Sequence, residues 1–306
     1  MDAAVALLRV VQFAAATVLC GTPLFLLYGL GEADRARLAW PRRLTSGASL
    51  VLLLGAAAAL LAQTAAMAGD PAAAFDGEML ATVVTETTSG VAIVARGLAA
   101  AAALALCLIR PTGKGLWLGS TVLGAVALAS FAWTGHGAAT EGAGALPHLV
   151  ADILHLLAAG VWIGALTALA LMLRAGSAAS DPAAARALHA ALAGFSGIGS
   201  GVVAVILVTG LVNSWFLVGP DGVGRMAASA YGLLLLAKLA LFVAMLGLAA
   251  ANRFRHTPAL AVGLAGGSPA LALALLRRSV FLETAAGFAI LALVGVLGVL
   301  APVASQ

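Results

Sequence analysis

Eight long apolar runs, separated by short polar gaps, dominate the pattern of hydrophobic and polar positions along the chain. A helix needs about 20 mainly apolar residues to cross the roughly 30 Å hydrocarbon layer of a membrane. None of the runs alternates apolar and polar residues as a membrane-spanning strand does. The pattern therefore predicts an all-α, polytopic bundle of eight transmembrane helices that forms a single domain over residues 1–306. The predicted spans are 5–29, 44–67, 84–109, 116–134, 148–173, 190–217, 230–251 and 279–301.

The composition agrees with a membrane protein. Hydrophobic residues make up 63% of the chain and charged residues only 9%, whereas about a quarter of a typical soluble domain is charged. The mean hydropathy is +1.10, so too little polar surface remains to cover a water-soluble globule. These values exclude a soluble enzyme, a disordered chain and a nucleic-acid partner, and we expect no enzymatic activity. Glycines such as Gly160 and Gly164 form small-xxx-small pairs that suit close helix packing.

The basic residues indicate the orientation in the membrane. The gaps that follow spans one, three, five and seven hold twelve of the sixteen lysines and arginines, while the opposite side holds only Arg225. Because short cytoplasmic loops are enriched in lysine and arginine, we expect both termini to lie outside. The net charge of +4 is therefore a consequence of topology and not of DNA binding.

Several polar residues lie within the predicted spans, where an ionisable group costs about 2.5–3.5 kcal/mol on insertion scales. Two interpretations remain open for them. They could form structural ion pairs that fix the registry of the helices, or they could belong to a transport path through the bundle. The residues assigned to such a buried polar path are Glu86, Arg96, Asn213, Lys238 and Glu283.

Three potential metal ligands share one face of the fifth span. His148, Asp152 and His155 stand at positions i, i+4 and i+7 of the predicted helix, which places Asp152 and His155 each within about 40° of the direction of His148. His148 and His155 are about 10 Å apart along the axis, so they cannot bind one ion together without a bend or a partner helix. Asp152 and His155 can share one ion, or Asp152 can orient a ligating imidazole.

Two further donors lie on the same outer side. His136 precedes the fifth span, and Met67 ends the second. Imidazole and thioether groups together favour copper over magnesium or calcium, which prefer oxygen ligands. The predicted copper ligands are thus His136, His148, Asp152, His155 and Met67. The alternative is that the histidines are solvated or hydrogen-bonded residues at the membrane interface and that the methionine packs against its neighbours.

Three segments resemble one known family. The fifth span contains Asp152-Ile-Leu-His155-Leu-Leu-Ala-Ala-Gly-Val-Trp162. The second segment is Gly210-Leu-Val-Asn213-Ser-Trp215 with the downstream Tyr231-Gly-Leu-Leu-Leu-Leu-Ala-Lys238. The third is Ala251-Asn252-Arg253-Phe254-Arg255, followed by Arg278-Ser-Val-Phe-Leu-Glu283. Together these motifs are similar to those of the copper resistance protein D family of bacterial inner-membrane proteins. The resemblance is strongest over residues 147–300.

The resemblance implies a multi-pass protein of the bacterial inner membrane, with both termini periplasmic. It also implies that the protein moves copper from periplasm to cytoplasm in copper homeostasis and resistance, often with a periplasmic copper-binding protein as partner. The copper ion is the expected ligand, either as Cu(I) or as Cu(II). The recurrent polar residues of the family fall here on His155, Trp162, Asn213, Lys238, Asn252, Arg253 and Glu283.

A copper permease is the leading hypothesis, and two alternatives remain. The first is a membrane redox protein that holds haem between helices. Because haem needs axial histidines and only His155 lies well within a span, bis-histidine ligation fits poorly. The second is a copper sensor or assembly factor that binds the ion outside without transporting it.

Overall fold

The structure, a computed structural model, describes residues 2–138, 140–174, 178 and 181–305, without the side chains of residues 2 and 136. This part of the chain contains helices and no strands, which confirms the predicted all-α class. Eight of the helices are long and apolar enough to cross a membrane. They are α1 Asp2–Gly29, α2 Pro41–Ala68, α3 Thr88–Ile109, α4 Lys114–Ala129, α5 Ala145–Arg174, α6 Pro182–Leu217, α7 Ala230–Ala251 and α8 Ala270–Leu297.

Because an even number of spans returns the chain to the side on which it began, both termini lie at one end of the bundle. We call this end the terminal face. The opposite end, the basic face, holds the twelve lysines and arginines of the gaps after predicted spans one, three, five and seven, seven of which lie in the end regions of the observed helices. The membrane side that each face meets stays a prediction from the charge pattern.

The third span begins later than the sequence predicted. A separate short helix, Gly77–Glu86, precedes α3. Thr87 ends it and caps α3, because its Oγ1 accepts a hydrogen bond from the Gly90 amide at 2.9 Å. Glu86 is therefore exposed at the end of the short helix, and the prediction that it is a buried group within the span was wrong.

The helices of the second half are longer than their apolar runs. Asp181 caps α6 by accepting from the Ala183 amide at 2.8 Å, so α6 starts eight residues before the predicted span. At the basic face, α7 continues through a π-helical turn, Asn252–His256, into the helix Thr257–Leu264. A π-helical turn widens the backbone and is common at functional sites.

Helices α1 and α5 cross at the centre of the bundle, at a contact made of glycines. A Cβ on Gly21 would collide with the carbonyl oxygen of Gly160 and lie 2.9 Å from Cα of Gly164. The hydroxyl of Thr22 donates to the Gly164 carbonyl at 3.0 Å. Because lipid provides no hydrophobic force between helices, such close backbone approach is a main source of association energy.

The remaining helices surround this central pair. On one side, α2, α3 and α4 pack in sequence around α1. On the other, α6 packs on α5, and α7 packs on α8, which also contacts α1 and α5. In the described part of the chain, α6 and α7 do not pack on one another along their lengths. Their backbones are thus separated over one face of α5, where Ile206 of α6 and Met245 of α7 meet Trp162 in an apolar cluster. We call this region the gap between α6 and α7.

The glycine crossing gives a direct test of the packing. We expect Gly21→Ala to lower the stability of the protein by about 1–3 kcal/mol or more, because the added methyl group has only backbone atoms to displace. The measurement is the thermal unfolding temperature of the protein in detergent. Gly47→Ala is the matched control, since it also lies in a spanning helix but has no atom within 4 Å of the new Cβ. An equal response of both variants would contradict the packing argument.

Candidate functional site

A line of polar side chains runs along the face of α5 that lies under the gap between α6 and α7. His148, Asp152, His155 and Trp162 are separated by four, three and seven residues, and this spacing keeps them on one face of a helix. The line starts near the terminal face and reaches the middle of the bundle. A polar cluster lies at each end of it, one around Asp152 and His155 and one around Glu283, and the apolar residues Ala158 and Ile206 lie between them.

His155 is held in one orientation by α6. Its Nδ1 lies 3.0 Å from Oγ1 of Thr209, and that hydroxyl donates to the carbonyl of Val205 at 2.6 Å. Because a hydroxyl has one proton to donate, Thr209 accepts from His155, whose Nδ1 therefore carries the hydrogen. In this tautomer Nε2 carries the lone pair of the ring, as in a histidine ligand that is oriented through its other nitrogen. His155 also has a hydrogen bond with the backbone of Ile206.

Two glycines lie against this part of the site. A Cβ on Gly210 would lie 3.5 Å from Cε1 of His155, an ordinary contact distance, so the imidazole packs directly against α6. A Cβ on Gly137 would lie 2.6 Å from Oδ2 of Asp152, so this glycine lets the loop before α5 approach the carboxylate. The other oxygen, Oδ1, accepts from Nδ2 of Asn213 at 3.4 Å.

Two basic side chains act on Asp152 from opposite sides. Arg9 of α1 and Lys238 of α7 each interact electrostatically with its carboxylate, and Lys238 also interacts with His155. In a medium of low dielectric constant such charges act over longer distances than in water. The cluster thus combines one carboxylate with two cations and with an imidazole whose Nε2 carries the lone pair of the ring.

His148 lies above this cluster, in the first turns of α5, and is 1% exposed. Its ring stacks on Phe216 of α6, with centroids 4.7 Å apart and planes 12° apart. Its Nδ1 forms a 2.6 Å hydrogen bond with Oγ1 of Thr140. His148 is therefore a packed, hydrogen-bonded residue, which agrees with the hydrogen-bonded form of the alternative interpretation and not with the solvated form.

The second cluster surrounds a buried carboxylate nearer the basic face. Glu283 of α8 is 1% exposed. It accepts from Nε1 of Trp162 at 2.9 Å and from Nδ2 of Asn252 at 3.0 Å. Oδ1 of Asn252, which belongs to the π-helical turn, is buried and has no hydrogen-bond partner. Two carboxylate oxygens and one uncommitted amide oxygen thus lie close together in the interior.

A cavity of about 280 Å³ opens beside the second cluster, between α5, α6, α7 and α8. Its polar lining consists of Trp162, Glu283, Asn252, Arg253, Ser196, Ser200 and Thr257. Arg253 donates to the Ser196 carbonyl at 3.1 Å and to the Ser200 hydroxyl. It therefore joins the π-helical turn to α6 at the end where the gap closes.

The structure brings together some of the predicted copper ligands but not all. Asp152 and His155 share one cluster, whereas His148 lies apart from it, in the first turns of α5. Met67 is 50% exposed on α2, which packs against α1 and α3 on the other side of the bundle. The side chain of His136 lies outside the described residues. Within the described part of the chain, no three His, Cys, Asp or Glu side chains converge to hold a metal ion.

The residues of the predicted polar path also lie in different parts of the bundle. Asn213 and Lys238 belong to the Asp152 cluster, and Glu283 belongs to the second one. Arg96 lies elsewhere, held by Gln12, Ser130 and Thr134. Among the described residues, Arg96 and Glu283 are held by neutral partners, so the ion-pair interpretation was wrong for these two.

Thr209 is the functional residue that the sequence did not reveal. It lies one turn before Asn213 on α6, and that spacing of two polar residues in an apolar run is a signal that could have marked it. Its role depends on the rotation of α6 against α5, which the hydropathy pattern does not contain.

Comparisons with known proteins agree along most of the chain. A family model described as "Copper resistance protein D-like, N-terminal domain" matches residues 1–146, and another described as "Copper resistance protein D" matches residues 189–297. A copper resistance protein D of Pseudomonas syringae pv. tomato is 41% identical over 294 residues, which cover 93% of this chain and 92% of that protein. A copper transport protein CutJ of Bacillus subtilis (strain 168) is 29% identical over 249 residues, which cover 79% of this chain and 44% of that protein. No solved structure matches the chain.

The second cluster can be tested through its indole donor. We expect Trp162→Phe to destabilise the protein by about 1–3 kcal/mol, because Glu283 loses a buried hydrogen bond. Thermal unfolding in detergent measures the effect. Trp40→Phe is the matched control, since Nε1 of Trp40 is buried without a hydrogen-bond partner. If both variants lose the same stability, the indole hydrogen bond has no special role.

Proposed function

The chain belongs to the copper resistance protein D family, and from this premise we propose that it is a copper permease of the bacterial inner membrane. In this proposal it moves copper from the periplasm to the cytoplasm, and the terminal face is periplasmic. The observation that supports it best is the line of polar side chains on α5, which has a buried polar cluster at each end under the gap between α6 and α7. Eight candidate spans and a family of copper-handling proteins agree with this role.

Copper capture takes place at the first cluster. Nε2 of His155 and the carboxylate of Asp152 are the ligands that the geometry favours, with His148 and His136 above them toward the terminal face. A periplasmic copper-binding protein delivers the ion there. The mixed donor set accepts Cu(II) through imidazole and carboxylate and Cu(I) through imidazole.

Ligands arranged one after another suit transport better than storage. An ion must bind strongly enough to enter and weakly enough to leave, and several incomplete sites in series meet both conditions. The absence of a converged three-ligand cluster among the described residues fits such passage. For the same reason we propose transport and not catalysis, because the polar groups are spread along a line and not gathered around one reacting atom.

Lys238 provides the positive charge beside Asp152 while no copper is bound. It interacts with both Asp152 and His155, so it neutralises the carboxylate until copper arrives. The incoming ion repels the ammonium group and replaces it at Asp152. When the ion has left, Lys238 returns and prevents the ion from re-entering.

The second cluster is the site from which copper is released. The oxygens of Glu283 and Asn252 lie further along the same side of α5, beside the cavity that the π-helical turn borders. They present hard donors, which hold copper less strongly than imidazole or sulfur. A site with weaker ligands toward the basic face favours release into the cytoplasm.

Copper uptake into proteoliposomes tests the permease. We expect wild-type protein to carry copper, and His155→Ala and His148→Ala to reduce the flux by roughly tenfold or more, which corresponds to about 1.4 kcal/mol or more at the site. His189→Ala, on α6 near the basic face, is the control and should retain the wild-type flux. Copper binding to the wild type without any flux would refute the permease and favour a sensor or assembly factor.

The role of Lys238 has its own test. We expect Lys238→Met to bind copper several-fold more tightly, because the competing cation is gone from Asp152, and to release it more slowly, so that flux falls. Equilibrium copper titration and proteoliposome flux measure the two effects. Lys114→Met, at the exposed start of α4, should leave both unchanged. An unaltered affinity and flux in Lys238→Met would contradict the displacement model.

A further inference from the structure

A second polar cavity, far from the gap between α6 and α7, lies at the terminal ends of α1, α2 and α3. Its volume is about 390 Å³. The 3₁₀ turn Ser130–Thr134 closes one side of it. Its polar lining consists of Arg9, Gln12, Gln63, Ser89, Arg96 and Thr134. The lining contains two guanidinium groups and no carboxylate.

Hydrogen bonds hold the Arg96 side chain in a position where it lines this cavity. It is 2% exposed and donates to Oε1 of Gln12 at 2.9 Å, to Oγ of Ser130 at 3.0 Å and to Oγ1 of Thr134 at 3.2 Å. Its guanidinium lies 3.5 Å from the ring centroid of Phe131. Because a guanidinium has five N–H groups, these three hydrogen bonds leave Arg96 with donors for a further partner.

Arg9 meets Arg96 at the same residue. Its Nη1 donates to the backbone carbonyl of Thr134 at 2.8 Å, while Arg96 uses the hydroxyl of that threonine. A Cβ on Gly298 would lie 2.5 Å from Nη2 of Arg9, so the close packing of α8 holds the guanidinium in place. The two like charges act on one another; Asp152, outside the cavity, acts on Arg9, whereas the lining itself contains no carboxylate.

We infer that this cavity binds an anionic phosphate group, carried either by a lipid headgroup or by free phosphate. Arginine pairs match the oxygens of phosphate through parallel N–H donors, and such bonds are stronger than those between neutral groups. The amides of Gln12 and Gln63 and the hydroxyl of Ser89 add neutral polar groups around the same space. The volume accommodates a phosphate together with part of a glycerol, beside the apolar side chains of Val5, Leu8 and Ala62.

The chemistry of the cavity separates it from copper handling. Its lining has no histidine, cysteine or methionine, so it lacks the ligands that copper prefers. It is formed by α1, α2, α3 and the turn after α4, whereas the proposed copper path runs along α5. The inference therefore goes beyond the proposed function and does not depend on it.

Binding to the full-length protein in detergent tests the inference. The probes are inorganic phosphate, followed by isothermal titration, and phosphatidylglycerol against phosphatidylcholine, followed by native mass spectrometry. We expect phosphate, phosphatidylglycerol or both to bind, and Arg9→Gln and Arg96→Gln each to weaken that binding at least tenfold. Binding of phosphate alone identifies free phosphate as the ligand, and binding of phosphatidylglycerol alone identifies a lipid headgroup. Both results support the site.

Two further variants keep the test decisive. Ala66→Glu places a carboxylate at the exposed rim of the cavity without touching the Arg96 network, so it should block the anion even if Arg96→Gln does not fold. Arg225→Gln removes an exposed arginine on the same face and should change nothing. Equal losses in Arg225→Gln, or full replacement of phosphate by chloride, would overturn the inference. Failure of all probes to bind would do the same.

Discussion

The backbone contact between α1 and α5 determines how the rest of the structure is arranged. Gly21 of α1 lies against Gly160 and Gly164 of α5 so closely that no side chain fits between them. At about 100° per residue, the two α5 glycines point roughly 140° away from the line that contains Asp152 and His155. The same crossing that joins the helices therefore turns the polar face of α5 away from α1 and under the gap between α6 and α7.

The sequence predicts best what lies within one helix. The face that holds His148, Asp152 and His155 follows from the period of the helix alone, and so does the membrane class from the apolar runs. Partners on other helices depend on rotation and registry, which hydropathy does not encode. Thr209 was missed for this reason, and Met67 was grouped with the histidines although α2 lies on the opposite side of α1.

The predicted start of the third span was wrong because a helix cap at Thr87 was overlooked. Glu86 lies next to an apolar run and was taken as part of it, but the hydroxyl of Thr87 offers the Gly90 amide a partner and starts a new helix there. The run of polar residues before α3 contained this information, since threonine is a preferred capping residue. Apolar length fixed the number of spans, whereas capping chemistry decided where the third one begins.

Two buried charged residues of this bundle, Arg96 and Glu283, have neutral hydrogen-bond partners. Arg96 relies on an amide, two hydroxyls and an aromatic ring, and Glu283 relies on an indole and an amide. A charge held by neutral partners keeps most of its field, because it is not cancelled by an ion pair at close range. It therefore remains able to attract an ion of opposite sign, which a fully paired charge cannot do.

Arg9 makes the two polar regions parts of one electrostatic system. It donates to Thr134 beside Arg96 and also acts on the carboxylate of Asp152, while Gly137, three residues after Thr134, packs against that same carboxylate. The segment from Thr134 to Gly137 thus connects the cavity in the first half of the chain with the polar line in the second half. The lining of that cavity contributes no carboxylate, so Asp152 is the acid that acts on Arg9, and the Arg9 side chain belongs to both polar regions.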